Sequence, residues 1–212
     1  MQAFPGRPLT PPIRTLVIIH GASMTAWTLL SVVQPLLVLS GRKRVHMMIG
    51  KFAAVLAVSI VVTGYLVAVN AARVNPPDLK LFGLTPKEFL TVPLFALMAF
   101  AVLVFIGVWK RKRPEIHRPM MLMGTLAAVS AALGRMPELN DRFTGTQLEH
   151  LFSAFVTTVM LGALLLIAKC AVDRRFDRWF AAAFGILTCV CMASAFMAKT
   201  DAWGQFATIL MR

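Results

Sequence analysis

Long uncharged stretches govern what this chain can fold into. No Asp, Glu, Lys or Arg occurs between Arg14 and Arg42, between Lys51 and Arg73, or between Glu88 and Lys110. Similar stretches follow Arg118, Glu149 and Arg178. Roughly 20 mostly apolar residues in helical form cross about 30 Å of hydrocarbon. A helix also satisfies its own backbone where no water can. The pattern predicts an all-α integral membrane helical bundle, one domain over residues 1–212, with six transmembrane helices at about 15–39, 46–70, 89–109, 117–136, 148–169 and 178–198. Composition agrees: 15% of the residues are charged, against about a quarter in a soluble domain. Arg7 and Arg14 precede an apolar run as in a signal peptide, but Leu16 to Leu39 is too long for one and reads as the first span.

A net charge of +13 would suggest nucleic acid in a soluble protein. Here the basic residues stand at the ends of apolar runs, which speaks for membrane topology and against nucleic acid. The odd-numbered connections and their flanks carry 13 Lys and Arg, including Arg42, Lys43, Arg44, Lys110, Arg111, Lys112 and Arg113; the other side carries nine. The positive-inside rule then places both termini on the non-cytoplasmic side of a bacterial inner membrane. Trp109, Trp179 and Trp203 fall near span ends, as an interfacial belt requires. Cys189 and Cys191 lie about 200° apart on a helix and cannot share a metal, so they and Cys170 are expected to be buried and unreactive.

Chemistry centres on four histidines. His46 and His117 begin spans 2 and 4 on the cytoplasmic side; His20 and His150 lie near the starts of spans 1 and 5 on the other. They sort into two cross-helix pairs separated by about 25–30 Å of helix. Two imidazoles per level are too few for zinc, which takes three or four protein ligands. They suit the axial positions of a haem iron, whose porphyrin fills the rest.

Small residues on the same faces, Gly50 with Ala53 and Ala57, and Gly124 with Ala128 and Ala131, would admit a porphyrin or a close helix. Arg44, Arg113 and Arg118 are candidate partners for its propionates, and Arg135, eighteen residues after His117, would close the outer level. On span 1, His20, Ser23, Trp27, Ser31 and Gln34 form one polar stripe, which should face a bundle interior. One or two haems b are therefore expected, with copper as the alternative suggested by Met47, Met48, Met120, Met121 and Met123. The same features admit plainer roles: histidines idle at the headgroups, and small residues that only pack helices.

No hydrolytic motif, phosphate-binding loop or paired carboxylates appear, and the span centres hold no acidic residue of the kind that carries protons in transporters. There is also an internal echo. Arg42-Lys43-Arg44 with His46 and Gly50 parallels Lys112-Arg113 with His117 and Gly124, which suggests related hairpins at 15–70 and 89–136.

The segments Gly41-Arg42-Lys43-Arg44-Val45-His46-Met47-Met48-Ile49-Gly50 and Pro114-Glu115-Ile116-His117-Arg118-Pro119-Met120-Met121 resemble a loose set of bacterial inner-membrane proteins. In these, spans open on a basic cluster and a histidine, and a further histidine sits early in span 1. The set is similar to small multi-pass proteins linked to cytochrome oxidase assembly. The resemblance covers spans 1, 2 and 4. It implies a cytochrome b-like protein in transmembrane electron transfer or haem handling, with respiratory-chain membrane proteins as partners, or else a non-catalytic accessory subunit.

Overall fold

A computed structural model describes residues 10–212. The described residues are all-helical, and six segments among them are long and apolar enough to cross a membrane: Pro12–Leu39, Lys43–Val74, Pro86–Trp109, Pro114–Leu133, Gln147–Asp173 and Arg178–Met197. It is thus a multi-pass membrane protein, with apolar helix faces suited to contact with a bilayer. By internal contacts the described residues group into two compact units, 10–67 and 68–212, with the boundary inside the second long helix.

The first unit is a helical hairpin of α1 (Pro11–Leu39) and the greater part of α2 (Lys43–Val74). The turn between them is a Schellman cap. Gly41 adopts φ +74°, its N–H donates to the Val38 carbonyl at 3.1 Å, and Arg42 N–H donates to the Leu37 carbonyl at 2.8 Å. Those bonds satisfy carbonyls left over at the end of α1, and glycine occupies the left-handed position without a Cβ penalty.

The second unit contains α4 (Thr91–Trp109), α5 (Pro114–Leu133), α8 (Val156–Asp173) and α9 (Arg178–Met197) as its long helices. Short helices α3 (Pro86–Phe89), α6 (Pro137–Asn140) and α7 (Gln147–Phe152) lie at their ends. Pro114 opens α5 three residues earlier than expected, since its missing N–H costs nothing at a helix start. Gly134 and Pro137 close that helix before residue 136. Span 5 is interrupted: a 3-10 turn at Ser153–Phe155 separates α7 from α8, and Ser153 takes φ +49°.

One further helix, α10 (Asp201–Leu210), was not expected. Thr200 caps it by accepting from Trp203 N–H at 3.2 Å. Its Trp203 and Ala207 pack into a core of Ala68, Val69, Ala72, Leu90 and Phe95. Trp203 is therefore a core residue and not part of an interfacial belt: it is 4% exposed, and its indole N–H donates to the Lys87 carbonyl at 2.9 Å. Trp109 does stay exposed, beneath the Lys110 ammonium. Of the cysteines, only Cys191 is buried; Cys170 is half-buried and Cys189 is exposed, because the two positions on α9 face different ways.

Candidate histidine sites

Each expected histidine pair draws one residue from either unit. In the hairpin, the polar stripe of α1 does meet α2. His20 Nδ1 lies 3.0 Å from Thr63 Oγ1, and Ser23 Oγ lies 3.4 Å from Ser59 Oγ. Thr63 has one hydroxyl proton, and it goes to the Ser59 carbonyl at 2.6 Å. Thr63 must then accept, so His20 carries its proton on Nδ1 and its lone pair on Nε2. His20 is the tenth residue of α1, about 13 Å along the helix axis from its start.

Further along the stripe, Trp27 is 3% exposed, and the antiparallel register sets it level with the stretch between Ala53 and Ala57, both buried. Gln34 ends the stripe. With its amide oriented to satisfy both ends, it donates to His46 Nδ1 and to the His46 carbonyl at 3.3 Å, and it accepts from Gly50 N–H at 3.2 Å. One amide thereby bridges a carbonyl and an N–H one helical turn apart. It also assigns the His46 proton to Nε2, the reverse of His20. A Cβ on Gly50 would meet nothing within 4 Å.

In the second unit, His117 Nδ1 donates to the Gly107 carbonyl at 2.8 Å. Gly107 lies in the last turn of α4, where carbonyls have no partner within the helix. A carbonyl can only accept, so His117 also keeps its lone pair on Nε2. On the same helix Gly124 is closed off: a Cβ there would stand 3.0 Å from Val104 Cγ2 and 3.4 Å from Leu103 Cβ. Its small size serves the packing of α4 on α5.

The remaining candidates gather less. His150 lies on α7, ahead of the interruption and not on the continuous part of span 5, and it is exposed. Arg135 stands beyond the Gly134 cap, so it does not extend the His117 face of α5 as expected. Arg44, Arg118 and Arg135 are exposed, and Arg113 pairs with Glu115 at 3.4 Å across a solvated gap. Of the methionines, Met120 and Met123 are 2% and 0% exposed, while Met47 and Met48 are 60% and 57% exposed. Among the described residues, no group of three or more His, Cys, Asp or Glu could hold a metal ion.

Sequence reasoning singled out the histidines but not the groups that orient them, Thr63, Ser59 and Gly107. Gln34 was read as part of a stripe without its partner. Counting outward from the Ser40–Arg42 turn would have set Gln34 near His46. No family model, curated protein or solved structure matches the chain.

Proposed function

We propose that this is a membrane-embedded haem b-binding protein, in which His117 and His20 are the imidazoles competent to ligate iron. The hydrogen bond from His117 Nδ1 to the Gly107 carbonyl carries the reading. Metal-ligating histidines characteristically donate the other ring N–H to a carbonyl or carboxylate, which fixes the tautomer and aims the Nε2 lone pair. His20 meets the same requirement through Thr63. A single imidazole at each place suits haem better than zinc, which takes three or four protein ligands, whereas one proximal histidine holds haem iron because the porphyrin supplies the equatorial ligands.

A bound haem would supply one-electron chemistry, and the chain would serve electron transfer across a bacterial inner membrane or the handling of haem for respiratory enzymes. The cytoplasmic placement of the 110–113 and 42–44 clusters belongs to this proposal. His46 has a structural part in it, holding Gln34. A second reading, an accessory subunit of a respiratory membrane complex, draws support from α1, of whose apolar window only 11% is buried.

The test is the visible spectrum of detergent-purified protein expressed with ample haem. A Soret band is expected, lost or shifted in His117→Ala and His20→Ala and retained in His46→Ala. Absence of a band in the parent protein sinks the haem reading, and co-purification of oxidase subunits in that case favours the accessory one.

A further inference from the structure

The interior of the 68–212 unit contains hydroxyls that bond to nothing in the protein. Thr158 Oγ1, Thr188 Oγ1 and Ser194 Oγ are buried without a hydrogen-bond partner, and Thr158 is fully buried at 0% exposure. Interiors leave few such groups, and each calls for an explanation, commonly an ordered water.

Helix register sets two of the three at one level. A Cβ on Gly162 of α8 would stand 2.9 Å from the Phe184 ring of α9 and 3.4 Å from Leu126 of α5. Both α5 and α9 run antiparallel to α8. One turn from Gly162 toward the start of α8 is Thr158, and the matching turn brings Thr188 on α9 and Ser130 on α5 to about the same level. The α5–α8 register agrees at a second place: a Cβ on Gly134, one turn beyond Ser130, would stand 3.1 Å from the Ala154 carbonyl, one turn beyond Thr158.

Ser130 is 3% exposed and directs its proton to the Ala127 carbonyl at 2.7 Å, which leaves its oxygen able to accept. A helical threonine ordinarily bonds the carbonyl four residues back. For Thr158 that is Ala154, which belongs to the 3-10 turn and faces Gly134 instead. The interruption of span 5 thus strands the hydroxyl. Ser194 lies farther along α9, outside this level.

We infer that a buried water molecule occupies this level and bridges Thr158 and Thr188, with the Ser130 oxygen as a further acceptor. Three hydroxyls from three helices provide the two to four polar partners a buried water needs. No carboxylate takes part, so the site suits a neutral ligand.

Thermal unfolding of the full chain in detergent separates a hydrated level from a dry one. Thr158→Val and Thr188→Val keep the shape and remove the hydroxyl. With water bound, each lowers Tm, and the double variant lowers it by less than the sum, since either change alone breaks the bridge; Thr158→Ser, which keeps the oxygen, shows a smaller loss than Thr158→Val. If the hydroxyls stand dry, valine relieves an unpaired group, and an unchanged or raised Tm overturns the inference. Replacing sodium by a bulky organic cation should leave Tm unmoved; a sodium-dependent Tm would overturn water in favour of a cation. A density map that resolves ordered waters should contain a peak within hydrogen-bond reach of both threonines, and an empty level there would also overturn it.

Discussion

The α1–α2 and α4–α5 hairpins open their second helix the same way, with a basic turn followed by a histidine that reaches back to the preceding helix. His46 reaches Gln34, and His117 reaches Gly107. The resemblance stops at the proton. His46 receives a hydrogen bond on Nδ1, whereas His117 gives one, so the two rings carry opposite tautomers. The way the helices are held differs as well. Polar side chains bridge α1 and α2 in steps, while α4 and α5 approach closely at Gly107 and Gly124. In lipid, apolar contact alone gives little preference for one helix over the surrounding tails, so association rests on packing and interhelical hydrogen bonds. The first hairpin relies on side-chain hydrogen bonds, while the second adds close packing to the single His117–Gly107 bond.

Enlarging a glycine should separate them most sharply. Gly124→Leu drives atoms into Val104 and the adjacent backbone, and overpacking of this kind costs about 1–3 kcal/mol. A large fall in the Tm of the detergent-solubilised protein is expected; a fall within experimental error would mean that α4 and α5 do not pack closely. Next comes Gln34→Leu, which removes the amide between His46 and Gly50. Interhelical bonds in membranes are worth about 0.6–2 kcal/mol, and this variant should fall near the upper end because three contacts go at once.

Thr63→Val removes the acceptor for His20 and should cost about 0.6 kcal/mol. Its more telling effect lies in the spectrum: if His20 ligates haem, the band assigned to it should broaden or shift while the His117 contribution stays. Gly50→Ala is the control for Gly124. With nothing within 4 Å of the new Cβ, stability should hold or rise by about 0.5 kcal/mol through helix propensity. A clear loss would contradict the open surface at that position. The finest test leaves the protein unaltered. Ring-nitrogen NMR should find the proton on Nδ1 in His20 and His117 and on Nε2 in His46 in haem-free protein, and one tautomer common to His46 and His117 would erase the contrast between the hairpins.

The spans were legible because charge is so completely absent from them. The stripe from His20 to Gln34 was legible too, since polar residues recurring at helical spacing in an apolar run can face only an interior. What the stripe faces depends on the length of the Ser40–Arg42 turn, which sets the register of α2 and is invisible to periodicity within one helix. The break in span 5 left no signal, because Ser153 holds a positive φ that sequence would assign to glycine. Helix α10 did leave one: Thr200 before Trp203, Phe206, Ala207 and Leu210 is a cap followed by an amphipathic repeat. It was passed over because the segment is too short to span. The expected role of Arg135 failed at Gly134, where a small residue ends the helix that was to carry it.

The docking of α10 has a consequence for how the protein is made. Its Trp203 and Ala207 complete a core begun by Ala68, Val69 and Ala72, and Arg73 donates to the carbonyls of Leu210 and Met211 at 2.9 and 3.1 Å. Of the helices described, α10 leaves the ribosome last, yet it covers a face formed at the end of α2, before four of the six spans have been synthesised. That core therefore closes only after residues 201–210 have been made, so the end of α2 gains its last packing partners after all six spans are in place.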